Sequence, residues 1–433
     1  MPRLLILYSA NTAVCGVGTW VDSLVSQLPA FGWEVVVGLS QGRQFHRPKL
    51  VEQHWPTWST ISMDARTGTA ISRQIAVLRT IEKTQPDIVL STLLDDGLRA
   101  SSLSCHLKRC TRFAVANHGN APPHLAAIIE AAAGLDLVVS VNQASYNLLK
   151  DWPGLQWNNA LVCIPNAVPL PTAKQSASDG CLRLGFVGRL AKDKGTDLLS
   201  DIVTELASST NRFRVTIAGD GPERQHIERL AAGFPELVAY RGPLTRTQLY
   251  ESVYPNLDVI LCCSPSEGWP MSIAEGMVHG AVPVSSEYIG IHQEAVIQDG
   301  RTGLIFPCGR SDASIDAIQT LLDPQLRNQL GQSAREMILR NYTLEQFGDR
   351  WNAALRGCLL HDPCKRASSS DLPPFSIRQR ITEGLRRRLR MRVAHDSARA
   401  EWPMMAPRDI GLTKKVATLL QELDSRGVPP NSV

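Results

Sequence analysis

The chain has 433 residues, 43% hydrophobic and 20% charged, with a formal net charge of +4. The length fits two large or about three smaller folded units, and the composition is that of an ordinary soluble protein able to bury a substantial core. The 10 cysteines are scattered, with no CxxC, which argues against a disulfide framework or zinc site and favours a reducing cytosol. The N-terminal apolar run Leu4–Leu7 is too short for a signal peptide. No run approaches the roughly 18 apolar residues of a spanning helix. Charge is uneven: from Asp362 onward there are 14 Lys+Arg and 8 Asp+Glu, a surplus of +6, which leaves 4 − 6 = −2 for the body.

In chain order, Leu4 to Tyr8 reads as a buried strand, followed by a loop with Gly16-Val17-Gly18. Trp20, Val21, Leu24, Val25 and Leu28 then mark an amphipathic helix, and Glu34–Leu39 a second strand. Glycines at that first strand-to-helix turn allow close approach to a phosphate, or simply make a tight turn. Residues 41–68 look irregular. Ile71–Glu82 is helical, Ile88–Ser91 a strand with Asp95-Asp96-Gly97 soon after it, and Arg112–Ala116 another strand. His118 therefore falls just past a strand end, where open α/β sheets place ligands. It is either a hydrogen-bonded loop residue or a site residue. Strands Leu135–Ser140 and Leu161–Ile164 close this half.

Residues 169–180, rich in Pro, Ser, Ala and Thr, read as a linker. Alternation then restarts with a strand over Leu182–Val187. The loop from Gly188 to Gly195 is basic and bounded by glycines, and Thr196 is a candidate cap for the helix after it. Arg189 and Lys194 stand across this loop, spaced to reach one diphosphate. A strand over Phe213–Ala218, a helix over Glu223–Ala232 and a short strand over Val238–Tyr240 follow.

The segment from Val259 to Met277 organises the rest. Val259–Cys263 is an apolar, β-rich run, broken by Ser264, Pro265 and Gly268. From about Pro270 the spacing of Met271, Ala274, Met277 and Val278 turns helical, and Pro270 suits a first helical position. A strand, a glycine-containing loop and a helix N-terminus make an anion site. Glu267 and Glu275, with seven residues between them, flank it, which suits a ligand with phosphates in the middle and hydroxyls at both ends, such as a nucleotide sugar. Strands at Ala281–Ser285 and Gly303–Phe306 end the second half. Two α/β halves of similar size predict a cleft between them.

Taken in order, Ile164-Pro165-Asn166, Gly188-Arg189 with Lys194-Gly195, Ala218–Pro222, Glu267 with Glu275, Gly280–Val284 and Asp299–Leu304 resemble the family 4 retaining glycosyltransferases. The resemblance covers roughly residues 1 to 358 and is strongest over 182–310. It implies the α/β GT-B fold, two Rossmann-like domains facing each other across a cleft. The implied boundaries are 1–168 for an acceptor-side domain, 169–180 for the linker, 181–340 for a nucleotide-sugar domain, 341–361 for a helix returning to the first domain, and 362–433 for a basic extension. It implies a retaining transfer of a sugar from a nucleotide-diphosphate sugar to a hydroxyl acceptor, in glycan or polysaccharide biosynthesis.

On the same resemblance, the catalytic set is His118, Arg189, Lys194 and Glu267, with His118 facing the donor sugar. Gly16, Gly18, Arg189, Lys194, Gly268, Met271, Ser272 and Glu275 bind the donor. Arg189 and Lys194 hold the diphosphate, Glu275 the ribose hydroxyls and Glu267 hydroxyls of the transferred sugar, while the loop from Arg241 to Leu244 borders the base. Pro270 stands where many members have Gly and supplies no N–H, and Cys15-Gly16-Val17-Gly18 replaces the adjacent glycines usual in the family. No metal and no cofactor is implied, and there is no Asp-x-Asp motif. A GT-B sugar-nucleotide epimerase, a phosphorylase or a non-catalytic nucleotide-sugar binder shares the two-domain plan.

In the tail, Ile377, Ile381, Leu385, Leu389 and Val393 recur every four residues among seven arginines between Arg378 and Arg392. This basic amphipathic pattern over 377–393 suits peripheral contact with an anionic inner membrane face carrying a lipid-linked acceptor; packing on the body is the alternative. Nucleic-acid binding is disfavoured because interleaved aromatics are missing. Val416, Leu419, Leu420 and Leu423 predict one more short helix.

Overall fold

The computed structural model describes residues 1–11, 15–42, 45–65, 67–92, 94–100, 107, 110–157, 160–171, 180–210, 212–363, 402–407 and 409–425. The basic pattern over 377–393 and residues 172–179 of the expected linker lie outside the described residues. The chain divides into two compact units, Met1–Pro165 with Phe347–Leu420, and Asn166–Gln346 with Gln421–Val433.

The first unit is built on a seven-stranded sheet in the order β3-β2-β1-β4-β5-β6-β7, every pairing of which is parallel. Its strands are β1 Arg3–Tyr8, β2 Glu34–Gln41, β3 Thr60–Asp64, β4 Ile88–Ser91, β5 Arg112–Asn117, β6 Leu137–Ser140 and β7 Leu161–Cys163. Helices α1 Gly16–Gln27, α2 Pro48–His54, α3 Ala70–Thr84, α4 Asp95–Leu98, α5 Pro122–Ala131 and α6 Gln143–Lys150 connect them. Leu4, Leu5, Ile6 and Leu7 are fully buried, as expected of a central parallel strand covered on both faces. The chain builds outward from β1 through β2 to β3, then returns to the other side of β1 at β4, so strand order reverses between β1 and β4.

Two expectations fail here. Residues 41–68 are not irregular: they hold α2 and the edge strand β3, which pairs Thr60 with Val37 and Met63 with Ser40. Pro48 at the first helical position of α2 was the readable signal. Gly16 and Gly18 do not form a loop ahead of a helix starting near Trp20; α1 begins at Gly16. Cys15 caps it, its Sγ accepting from the Gly18 N–H at 3.4 Å, which draws both glycines into the first turn.

Chain from beyond residue 346 completes this unit. Helix α14, Leu344–Leu360, sets Trp351 against Trp20 with ring centroids 5.3 Å apart. Its Asn352 accepts from Trp33 Nε1 at 3.0 Å. The described part of the tail also packs here. Trp402, 3% exposed, donates through Nε1 to the Gln41 carbonyl at 3.2 Å. Asp95 N–H donates to the Pro403 carbonyl at 3.0 Å, Met404 bridges Leu94 antiparallel, and Arg99 Nη2 reaches the Ala406 carbonyl at 2.8 Å. Helix α15, Ile410–Ser425, then buries Val416 and Leu420 and sets Lys415 Nζ 5.0 Å from the Trp152 ring centroid.

The second unit carries a six-stranded sheet in the order β10-β9-β8-β11-β12-β13, again parallel throughout. Its strands are β8 Leu182–Val187, β9 Phe213–Ala218, β10 Val238–Tyr240, β11 Val259–Cys262, β12 Val282–Ser286 and β13 Leu304–Phe306. Its helices are α7 Thr196–Ser209, α8 Arg224–Gly233, α9 Arg246–Gln248, α10 Met271–Val278, α11 Ile291–Glu294, α12 Ser311–Thr320 and α13 Pro324–Asn341. Leu184, Val215, Ile217, Val259, Leu261 and Val284 pack with Leu199, Ile202 and Leu206 of α7 in one core. Strand order reverses between β8 and β11. Among the described residues, no helix is long and apolar enough to cross a membrane.

Replacing Trp402 by Ala removes a large buried side chain from the first unit and should cost about 3–5 kcal/mol. Met404→Ala, at a residue 48% exposed, should stay within about 0.5 kcal/mol of wild type. Chemical denaturation of the full chain reads both. Equal, small effects would mean that the 402–407 segment contributes nothing to folding.

Candidate active site

The loops at the carboxyl ends of β8 and β11 meet at the point where strand order reverses. Open α/β sheets bind ligands at such points. After β8, the loop folds onto the turn that follows β9. Gly188 N–H donates to the Ala218 carbonyl at 3.1 Å, and Leu190 N–H to the Asp220 carbonyl at 2.9 Å. Gly219, at φ +149, is packed so closely that a Cβ there would lie 1.8 Å from the Gly188 carbonyl oxygen. A single 3₁₀ turn, Lys192–Lys194, ends at Gly195 with φ +72, where a Cβ would sit 2.1 Å from the Cys263 carbonyl oxygen. Only glycine allows that approach at that φ, and it presses the end of the basic loop against the start of the acidic one.

The consequence is an ion pair. Lys194 Nζ donates to both oxygens of Glu267, at 2.7 and 2.8 Å, and the Ser264 hydroxyl donates to Glu267 Oε1. The side chains are 29% and 12% exposed, so the pair is partly buried. Cys262 and Cys263, just before this loop, stay as thiols. Burial first, and then the Glu267 charge, push Cys262 up to about 11, and burial raises Cys263 further. Thr196 does not cap α7: Gly195 holds the cap position with no side-chain hydrogen bond. Among the described residues the buried Thr196 hydroxyl has no partner.

Helix α10 begins at Met271, with Pro270 at the cap position rather than inside the first turn. Pro270 cannot cap, and no other side chain does. The Met271 N–H turns back onto the Trp269 carbonyl at 2.9 Å, and the N–H groups that follow it in the first turn are left to solvent or an anion. Gly268, Met271 and Ser272 are half-buried around this opening.

Glu275, one turn further, is 6% exposed rather than a surface helix residue. Its Oε1 accepts from Arg246 Nε at 2.9 Å and its Oε2 from the Tyr254 hydroxyl at 2.7 Å; Arg246 Nη2 lies 2.9 Å from Oε1 without a hydrogen bond to it. Burial, reinforced by Glu275, raises the Tyr254 pKa well above its usual value, so the phenol remains a donor. Tyr254 stacks on His279 at a centroid distance of 5.6 Å. Neither Arg246 nor Tyr254 was found from sequence. The only readable hint was the Thr245–Gln248 capping box that starts α9 and fixes where Arg246 points.

Arg189 stands apart. Its side chain is 54% exposed and pairs with Asp193, not with Lys194 or Glu267. The remaining predicted residues belong to the first unit. Gly16 opens on empty space, and the Gly18 N–H is occupied by Cys15 Sγ. His118 follows β5 and lies edge-on to Trp20 at 4.5 Å between centroids. Burial, with a smaller effect of His124, pushes its pKa down to about 3, and its Nε2 is buried without a hydrogen-bond partner among the described residues. His118 is thus a neutral imidazole at ordinary pH, a weak base but a competent hydrogen-bonding group.

Residues 181–324 match the family Glycosyl transferases group 1. The chain is 29% identical over 168 residues to the alpha-D-kanosaminyltransferase of Streptomyces kanamyceticus, a stretch that covers 38% of this chain and 43% of that protein. The chain thus matches less than half the length of that curated relative. Among solved structures, it resembles sucrose-phosphate synthase from Thermosynechococcus elongatus, with a TM-score of 0.68 at 16% identity over 83% of this chain and 100% of that one. It also resembles Anabaena HepE in complex with UDP and glucose, with a TM-score of 0.65 at 17% identity over 82% of this chain and 100% of that one. The fold is the GT-B fold.

A lowered histidine pKa gives stability a definite pH dependence. Between the ordinary 6.5 and about 3, the unfolded chain binds a proton at His118 that the folded chain does not. The His118 contribution to stability is therefore fully present above pH 6.5 and falls as pH is lowered through that window. Nitrogen NMR of histidine-labelled protein should show the His118 ring neutral at pH 5. A charged ring at that pH would overturn the assignment.

Proposed function

We propose, from the match of residues 181–324 to the family Glycosyl transferases group 1, that the chain is a retaining glycosyltransferase. It moves a sugar from a nucleotide-diphosphate sugar to a hydroxyl acceptor, in glycan or polysaccharide biosynthesis. One observation carries this reading: the ion pair of Lys194 and Glu267, joined at 2.7 Å at the β8/β11 reversal. A cation for phosphate and an acid for hydroxyls are thereby held side by side, next to the uncapped start of α10.

On this reading, Lys194, Arg189 and the N-terminal end of α10 take up the negative charge that develops on the departing diphosphate. Arg189 leaves Asp193 to do so, a small cost for an exposed pair. These groups supply the positive charge that a divalent metal would otherwise provide, and the reaction needs no cofactor. Glu275 accepts from the ribose hydroxyls and Glu267 from hydroxyls of the transferred sugar. Glu267, whose Oε1 accepts from the Ser264 hydroxyl, acts as a hydrogen-bonding residue rather than a covalent nucleophile. The acceptor oxygen attacks the anomeric carbon from the face that the diphosphate leaves. The sugar–phosphate bond breaks as the new glycosidic bond forms, and the acceptor proton passes to the leaving phosphate oxygen.

The first unit supplies the acceptor side, with His118 as a neutral hydrogen-bond partner for substrate hydroxyls. Binding of UDP and glucose by HepE supports a nucleotide-sugar donor. The basic pattern over 377–393 suits an anionic membrane that carries a lipid-linked acceptor.

A nucleotide diphosphate at a hundredfold excess over its dissociation constant should stabilise the protein by about 2.7 kcal/mol, raising the melting temperature. Lys194→Ala should abolish that shift. If no nucleotide diphosphate or nucleotide sugar moves the melting temperature, the donor-site reading fails. A glycosyl–Glu267 adduct trapped and seen by mass spectrometry would overturn the front-face mechanism while leaving the transferase reading intact.

A further inference from the structure

The contact between Arg246 and Glu275 carries an inference about the donor. Arg246 is fixed by its place in α9, behind the Thr245–Gln248 capping box. Its Nε and Nη2 lie 2.9 Å from Glu275 Oε1, and its guanidinium carbon stands 5.7 Å from the Tyr250 ring centroid. Its side chain is 23% exposed. Nε donates to Glu275, while Nη2, 2.9 Å from the same oxygen, is buried and makes no hydrogen bond among the described residues. Glu275 itself is held from the other side by Tyr254. The carboxylate and the guanidinium thus form one rigid edge, with N–H donors beside the acceptor.

We propose that Arg246 selects the nucleobase of the donor, favouring a base that presents carbonyl oxygens, uracil or guanine, over adenine. The proposal rests on the reading that Glu275 holds the ribose. A base attached to that ribose lies within one side-chain length of a group bonded to the same carboxylate. A guanidinium carries only donors and no acceptor, so whatever faces it must accept. Uracil offers two carbonyl oxygens and guanine one. Adenine has no carbonyl: it accepts only through ring nitrogens, and the amino group beside them turns an N–H donor toward the half-buried cation. A site built to make a hydrogen bond penalises the ligand that cannot supply its half, because the site group is left unpaired.

Isothermal titration calorimetry with UDP, GDP and ADP separates the possibilities. Wild type should bind UDP or GDP at least about tenfold more tightly than ADP, the size expected for one hydrogen bond to a charged group. The arm that binds more tightly identifies which carbonyl-bearing base is used. In Arg246→Gln, affinity for the preferred diphosphate should fall about tenfold and ADP affinity should change little, so that the ranking collapses. Arg246→Lys, which keeps the charge but loses the planar fork, should retain part of the preference and serves as a second variant if Arg246→Gln fails to fold. Wild type that binds ADP as tightly as UDP and GDP overturns the proposal. So does an equal loss for all three in Arg246→Gln, which would mean that Arg246 only orients Glu275. Failure of wild type to bind any nucleotide diphosphate sinks the donor-site reading itself, and this proposal with it.

Discussion

The contact of Gly195 with the Cys263 carbonyl is the constraint on which the second unit's site depends. It fixes the distance between the loop after β8 and the loop after β11, and everything chemical hangs from those two loops. A side chain at position 195 would displace one of them, since a Cβ there falls 2.1 Å from a backbone oxygen. With the loops pressed together, Lys194 and Glu267 have no choice but to pair. A partly buried pair of this kind contributes little net stability, because desolvation offsets attraction. Its consequence is positional: each charge holds the other where a ligand would need it. Sheet order adds the second half of the explanation. β8 and β11 are neighbours although β9 and β10 intervene in sequence, so the helices that follow them pack on opposite faces and leave the loops open above the strand ends.

The first unit shows the same reversal, between β1 and β4, but its carboxyl edge is treated differently. The 402–407 segment is bound to Gln41 at the end of β2 and to Leu94 and Asp95 after β4. Because β1 lies between β2 and β4, this segment spans the carboxyl end of the central strand. The neighbouring α4 is locked in turn by Arg73, whose Nε meets Asp96 at 2.5 Å; burial raises the Asp96 pKa and Arg73 opposes that rise. Chain from the far end of the sequence thus finishes the rim that its first 120 residues begin.

Much of this was legible in the sequence, and the limits are physical. Central parallel strands are buried on both faces, so Leu4–Leu7, Val259–Cys262 and Val282–Val284 read as unbroken apolar runs, and their order gave the two α/β units directly. Lys194 and Glu267 were found because glycines punctuate the loops that hold them. The edge strand β3 was missed, since only Met63 is buried along it and its exposed neighbours carry no run. Thr196 was misread as a cap because sequence shows the hydroxyl but not the left-handed turn at Gly195 that displaces it. Cys15 drew Gly16 and Gly18 into a helix through a sulfur contact that propensities do not contain. Arg246 and Tyr254 are 29 and 21 residues from Glu275, and no periodicity connects residues brought together only by tertiary packing.

On the proposed function, the ion pair also sets what the site accepts. A diphosphate entering beside α10 competes with Glu267 for Lys194, and phosphate is a good replacement because it carries more charge and more acceptor oxygens. The exchange takes the lysine charge away from Glu267, whose side chain is only 12% exposed and keeps the Ser264 hydroxyl. Removing the cation from a carboxylate at that depth is costly. Inorganic phosphate satisfies the lysine and abandons the glutamate. A free sugar offers hydroxyls to the glutamate but nothing able to take its place on the lysine. A ligand that joins phosphate to a hydroxylated ring satisfies both partners in one step, and the pair opens without leaving either charge alone. The resting contact between Lys194 and Glu267 therefore acts as a filter for sugar phosphoesters, set by the same close approach of two loops that builds the site.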